Sequence, residues 1–326
     1  MKIDKEKVKE VFNGFKSLKV LIIGETIIDD YFFVRPNGIT IKDPIISTEF
    51  IKKERYLGGV FSAARHLSQF VDKVHVITLL GEKQENRDFI NSSIKSNIIC
   101  SFFVKPGTHT IIKKRFIDSY KLTKLFKMEY LDDTPISKDL KKNVLNKIND
   151  IYKEYDVILI NDYGHGFLTK DMIDQIGTLR KFLCVTIQTK NSNYGFNLVT
   201  KCDRADFLSL NQLEIRLLFQ NREEDFKSLL KKLIEMKRYK EIMLTLGKNG
   251  VMFYRSKINH SPAFVTNPID TIGAGDAVFG FSSLMSFLKI DEKIIPEIAN
   301  ASGAVATQYM GNKELITLEN ILKYFN

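Results

Sequence analysis

No run of apolar residues in this 326-residue chain approaches the roughly 18 that a membrane-spanning helix requires. The three cysteines, Cys100, Cys184 and Cys202, lie far apart without metal-ligand spacing, and no pair of histidines or cysteines supports a zinc site. Such thiols read as reduced, in a cytoplasmic protein. Residues 1–19 are charged and amphipathic and lack the apolar core of a signal peptide, so a cytoplasmic location without a membrane partner is expected. Internal repeats, low-complexity tracts and linkers are also missing, which argues for one domain over 1–326.

What is present is a globular composition, 44% hydrophobic and 27% charged. The formal charge of +10 raises the question of nucleic acid. The lysines, however, are spread along helical segments, Lys138, Lys141, Lys142 and Lys147 among them, and no basic block is interleaved with aromatics. A nucleic-acid partner is not expected; an anionic small-molecule substrate needs only a few of these charges.

The most informative stretch is DTIGAGD, residues 270–276, which opens onto an apolar run over 277–288 with no charge inside it. It reads as a tight glycine turn feeding a helix N-terminus. Such an end presents unpaired N–H groups and a partial positive charge, and so suits an anion such as a phosphate in transfer. Gly273 and Gly275 let the backbone approach that anion. Asp276 would face the same anion, an awkward place for a carboxylate unless it takes a proton from an attacking hydroxyl. A plain Gly-rich turn capped by Asp is the alternative.

Short apolar runs alternate with longer amphipathic ones, the pattern of an α/β protein with a mostly parallel sheet covered by helices. Strands are expected at 19–24, 74–80, 156–160, 183–187, 207–210 and 242–246, and helices at 59–70, 84–96, 138–153, 170–181 and 222–239. Residues 31–56 and 100–128 break the rhythm with β-type alternation and basic residues, as a small strand layer lying over the sheet would.

Several polar clusters fall at the carboxyl ends of these strands, where open α/β sheets bind ligands. They are Gly24-Glu25-Thr26-Ile27-Ile28-Asp29, Gly58-Gly59, Asn161-Asp162-Tyr163-Gly164, Asn211-Gln212-Leu213-Glu214, Thr245-Leu246-Gly247 and the DTIGAGD turn. In this order and spacing the chain resembles the ribokinase-like (phosphofructokinase-B) carbohydrate kinases over about 19–317, with DTIGAGD as the most specific element. The resemblance implies a three-layer α/β/α sandwich with a small β lid, and transfer of a phosphoryl group from ATP to a sugar hydroxyl. Within the family the likeness is greatest to kinases of D-glycero-β-D-manno-heptose 7-phosphate. Residues 20–31 look like their opening strand and sugar-contacting Asp, and Thr110-Ile111-Ile112-Lys113-Lys114-Arg115 like their T-x-x-K-x-R lid strand. Residues 161–166 look like their S-D-Y-x-K-G turn, with His165 in place of the lysine. The nucleotidyltransferase half that often follows such a kinase is not found before Asn326.

By this resemblance Asp276 is the base, and the amides of Gly273, Ala274 and Gly275 stabilise the transferring group. The sugar side is expected at Asp29, with Asp30 as the alternative, and at Gly58, Gly59, Ser62 and Asp162. Lys113 and Arg115 share one strand face by their spacing of two, and form either a clamp for a substrate phosphate or a solvated face. Asn211 and Glu214, one helical turn apart, are expected to position Mg²⁺ and the phosphates through water, N-x-x-E being also a capping box. Thr245, Gly247 and Asn300 are expected around the nucleotide. The implied cofactors are ATP and Mg²⁺, with a monovalent cation near Asp270 left open, and the implied partner is a second copy joined through the lid. Three departures stand out: Ser62 where the family offers asparagine, 40–44 in place of an S-P-E-A-P run, and Gln188-Thr189-Lys190 in place of Asp-Pro-Lys. The catalytic end matches while the sugar end drifts. A kinase of the family acting on another sugar or nucleoside, and a non-catalytic sugar or nucleotide sensor, are the rival readings.

Overall fold

The apolar runs of the central sheet, such as residues 20–24 and 157–162, become strands buried on both faces. Along the chain the strands are β1 (Lys19–Gly24), β2 (Thr26–Ile39), β3 (Ile46–Gly59), β4 (Lys73–Leu80), β5 (Ile98–Val104), β6 (Ile111–Asp118) and β7 (Lys124–Tyr130). They continue as β8 (Val157–Asp162), β9 (Phe182–Ile187), β10 (Ala205–Asn211), β11 (Tyr239–Thr245), β12 (Val251–Tyr254) and β13 (Ile258–Ser261). The helices are α1 (Lys5–Asn13), α2 (Val60–Leu67), α3 (Gln84–Ser93), α4 (Lys138–Ile151), α5 (Lys170–Thr178), α6 (Gln212–Phe219), α7 (Phe226–Glu235), α8 (Ala274–Phe287), α9 (Ile295–Ala306) and α10 (Leu318–Leu322). This computed structural model describes residues 3–326, and every count and absence below refers to them. No helix is long and apolar enough to cross a membrane.

A nine-stranded sheet runs in the order β13-β12-β11-β10-β9-β8-β1-β4-β5, parallel except for the β12–β13 hairpin at one edge. Alternation splits each central strand between two cores. Val20 and Ile22 of β1 pack with residues of α2, α8 and α9, whereas Leu21 and Ile23 pack with those of α4, α5 and α7. The result is a three-layer α/β/α sandwich. Helix α8 is apolar nearly all round because it is enclosed all round, with Phe279, Phe281, Leu284 and Met285 buried. Each such side chain contributes about 1.5–3 kcal/mol through burial.

Strand order reverses between β1 and β8: the chain builds β4 and β5 outward on one side of β1 and β8 to β11 on the other. The crevice at such a switch point lies beyond the carboxyl ends of the strands. Over it lies a second sheet of order β3-β2-β6-β7, the lid. Its bounds differ from the sequence expectation. Residues 100–104 belong to β5, the edge strand of the main sheet, paired in parallel with β4. A half-exposed edge strand and a lid strand share the same broken alternation, so the pattern alone does not separate them. The expected helix over 222–239 is shorter, because Tyr239 already begins β11.

Candidate active site

The DTIGAGD turn closes on a glycine that must be one. Gly273 has φ +84°, and a Cβ there would run into Oδ1 of Asn312. The Ala274 N–H turns back to the Thr271 carbonyl at 3.4 Å. Gly275 and Asp276 follow in the first turn of α8, where N–H groups have no acceptor within the helix. These residues line a cavity of about 600 Å³ between the main sheet and the lid.

Asp276 is 8% exposed. Its Oδ1 accepts from the Tyr163 hydroxyl and from the Gln188 amide, each at 2.9 Å. Burial pushes its carboxyl above the usual carboxylate range, opposed by Lys190 and by the Tyr163 and Gln188 donors. Lys190 does not touch the carboxylate: its Nζ donates to the Gln188 carbonyl oxygen, which orients the amide so that its NH₂ faces Asp276. The arrangement is a partly basic carboxylate held by neutral donors, at the N-terminus of a helix.

On the lid, β2, β6 and β7 bring a charged row to the same cavity. Asp29 lies opposite Lys113, and Lys113 opposite Glu129; one step on, Arg115 lies opposite Lys127. The Asp29 carboxylate accepts from the Arg115 guanidinium, which also lies over the Tyr31 ring at 5.4 Å. Gly58 backs this pair, since a Cβ there would meet the Asp29 carboxylate. Asp30 points the other way, as strand alternation requires, and is enclosed by Arg55 at 2.7 Å and Lys53 at 2.8 Å. Asp29, not Asp30, therefore faces the cavity. Lys113 and Lys127 both approach Glu129, at 3.5 and 2.8 Å. Burial, helped by Lys190, pushes the Lys113 ammonium down to about 8, against the pull of Glu129 and Asp29.

At the start of the turn the buried Asp270 carboxylate takes four donors. They are Lys124 Nζ at 2.6 Å, the Tyr31 hydroxyl at 3.2 Å, and the N–H groups of Ile272 at 3.1 Å and Gly311 at 3.0 Å.

Of the residues expected from sequence, Asp276, Gly273, Ala274, Gly275, Asp29 and Gly59 line the cavity. So do Lys113, Arg115, Asn211, Thr245, Gly247 and Asn300. Gly58, Ser62, Asp162 and Glu214 do not. Gly58 stands behind Asp29. Ser62 is buried beneath the turn and donates to Asn312 at 3.2 Å. Asp162 is turned inward to Lys201 at 2.7 Å and the Gly164 N–H at 3.0 Å. Glu214 closes a reciprocal cap: it accepts the Asn211 N–H at 2.8 Å while Asn211 Oδ1 accepts those of Leu213 and Glu214. Its other oxygen takes the Thr189 N–H at 3.3 Å, and burial raises its carboxyl to about 7. Asn300 spends its NH₂ group on Ser261 and Pro262, which pins the end of β13. His165 is buried with Nδ1 2.6 Å from Asp133.

Among the cavity residues given no role from sequence are four that hold Asp276 or add charge to the site: Tyr163, Gln188, Lys190 and Lys127. The first three stand inside motifs noted for their match or departure, so the signal was present. Lys127 becomes visible only once β7 is paired with β6.

A family model described as pfkB family carbohydrate kinase matches residues 17–317. The bifunctional protein HldE of Helicobacter pylori (strain G27) is 27% identical over 315 residues, covering 94% of this chain and 66% of that protein. The bifunctional protein HldE of a Nitratiruptor species is 25% identical over 310 residues, covering 94% and 64%. The chain thus spans just under two thirds of the length of these relatives. Among solved structures, phosphofructokinase-2 from Escherichia coli in complex with potassium aligns with a TM-score of 0.73 at 12% identity, over 94% of this chain and 98% of the other. Ribokinase from Thermotoga maritima aligns at 0.67 and 16%, over 94% and 99%. These share the ribokinase-like fold. The family match begins just before β1 and ends just before α10, so every residue lining the cavity falls inside it, and the chain belongs to the pfkB family of carbohydrate kinases.

Proposed function

We propose that this carbohydrate kinase transfers the γ-phosphoryl group of ATP to the anomeric hydroxyl of a heptose 7-phosphate. The observation that carries the reading is the charge row of the lid. Asp29 and Glu129 face Lys113, Arg115 and Lys127 there, with Lys190 across the cavity, so cations outnumber carboxylates where the acceptor would lie. Arg115 pairs with Asp29, and Lys113 and Lys127 share the one carboxylate of Glu129, so we assign Lys113, Lys127 and Lys190 to an acceptor phosphate and give Arg115 the holding of Asp29. Asp29, fixed by Arg115 and backed by Gly58, accepts hydrogen bonds from sugar hydroxyls. The likeness to the two HldE proteins supports a heptose as that sugar.

Asp276 accepts the proton of the attacking hydroxyl, and the N–H groups of the Gly273–Gly275 turn face the transferring phosphoryl group. Asn211, Thr245, Gly247 and the carbonyl of Asn300 surround the nucleotide. Mg²⁺ would neutralise phosphate charge; Glu214, committed to backbone amides, would reach it only through water. The lid over the cavity limits access of water, the competing acceptor. This reading puts the enzyme where ATP is, in the cytoplasm. It also joins two copies through the outer lid face, where Phe50 and Phe126 are 60% and 47% exposed; a monomer in sedimentation at micromolar concentration would remove that part.

One observation favours a different phosphorylated sugar. Ser62, at the position where the family offers asparagine to the sugar, is buried behind the turn, against Asn312, Gly273 and Asp276, and does not itself line the cavity. The deciding experiment measures ADP release from Mg·ATP against heptoses, hexoses and pentoses, each with and without a terminal phosphate. Turnover confined to a heptose 7-phosphate is expected. Equal turnover of the unphosphorylated sugar would overturn the anion-site reading, and turnover of another sugar phosphate would replace the heptose alone.

A further inference from the structure

Asp270 opens the anion turn, yet its four donors come from four separate parts of the chain. Ile272 belongs to the turn, Gly311 to the segment after α9, and Tyr31 and Lys124 to lid strands β2 and β7. The two oxygens of an ionised carboxylate offer about four lone-pair sites. All four are occupied, so a metal ion added at Asp270 would have to displace a donor. A carboxylate this deeply buried also needs a counter-charge. Among the described residues the one cation within ion-pair distance is Lys124, at 2.6 Å. Burial alone would raise the Asp270 carboxyl, but Lys124 with the Gly311 and Ile272 amides outweighs it and holds the group below the usual range.

We propose that Lys124 is the resident counter-cation of the DTIGAGD turn, a positioning residue through which lid strand β7 sets the turn, and that Asp270 takes no monovalent metal ion from solution. The question of such an ion near Asp270, left open by the sequence, is answered in this proposal by an ammonium group of the chain itself. The pair also ties lid to turn: when β7 lifts, Asp270 loses its counter-charge, and the backbone of Ile272 and Gly311 loses its anchor. The idea rests on the site and not on which sugar is phosphorylated.

Amide hydrogen exchange at Ile272 and Gly311 reads the turn without turnover or acceptor, and Mg·ADP affinity by calorimetry reads its consequence. For the unaltered protein both quantities should be equal in potassium, sodium and tetramethylammonium chloride at about 0.1 M. Lys124→Met should speed exchange at both amides by about tenfold or more and weaken Mg·ADP. Potassium or methylammonium should reverse much of that loss, and Lys124→Arg should stay near the unaltered protein. A potassium requirement in the unaltered protein would overturn the proposal. So would a Lys124→Met protein that matches it in every salt, or a loss that no cation reverses, which would reduce Lys124 to packing. Should Lys124→Met fail to fold, the salt series on the unaltered protein and on Lys124→Arg still decides.

Discussion

Two aspartates face the same cavity from opposite walls, and the groups that hold them differ in kind. Asp29, on the lid, accepts from the guanidinium of Arg115, a cation in direct contact. Asp276, on α8, accepts from a hydroxyl and an amide, both neutral, while the nearest cation, Lys190, reaches it only through Gln188. A directly bonded cation stabilises the ionised form and makes a carboxylate a poor base; burial among neutral donors does the reverse. The partners thus divide the roles. Asp29 is tied to a cation and offers its oxygens to hydrogen bonds, and Asp276 is held to accept a proton.

The largest effect follows from removing the proton acceptor. Asp276→Asn should lower turnover by about a thousandfold or more, while Mg·ATP binding by calorimetry changes little. Substantial remaining turnover would erase the distinction between the two aspartates. Arg115→Met tests the other wall. It leaves Asp29 buried without its cation, which should destabilise the fold by about 3–5 kcal/mol in denaturant unfolding. It should also raise the acceptor KM more than it lowers kcat; a loss in kcat alone would place Arg115 with the chemistry and not with the sugar.

Gln188→Glu is expected to act next in size, and it sharpens the contrast directly. A second carboxylate against Asp276 raises the pKa of a group already raised by burial. Asp276 works only when ionised, so the acid limb of kcat/KM should move to higher pH, with about a tenfold loss near the old limb. Gln188→Ala removes a donor that favours the ionised form and should move the limb the same way by less. A limb that stays put in both would show that another group controls it.

The two walls were not equally legible in the sequence. The turn is local: Asp270, Gly273 and Asp276 fall within DTIGAGD, and its requirements for a left-handed glycine and a helix start are written in adjacent residues. The row on the lid is not local. Asp29, Arg115 and Lys127 meet only after β2, β6 and β7 pair, and the register that aligns them is a property of the sheet. Hence Lys113 and Arg115 could be placed on one face, but Arg115 could not be assigned to Asp29 in advance. The same reason hid Asp162 and Ser62, whose polar partners Lys201 and Asn312 lie far along the chain. Asn211 and Glu214 carried a pattern with two meanings. The structure shows the capping box outright, because both carboxylate oxygens of Glu214 end on backbone N–H groups.

The smallest expected effect separates the walls by pH alone. Lys113 is a buried ammonium whose pKa is pushed down to about 8. It is charged below that value and loses its charge as pH rises through it, whereas a phosphate on the acceptor keeps its own charge there. The KM for a phosphorylated acceptor should therefore climb above about pH 8, by roughly three- to tenfold. The KM for ATP, and that for the same sugar without its phosphate, should stay level. Lys127 and Lys190 share the anion, which keeps the effect modest. Lys113→Met should show the higher acceptor KM at every pH and no further climb. The acid limb then belongs to Asp276 and the α8 wall, the alkaline rise to Lys113 and the lid wall. A rise that persisted in Lys113→Met would mean that the acceptor anion is not held by Lys113.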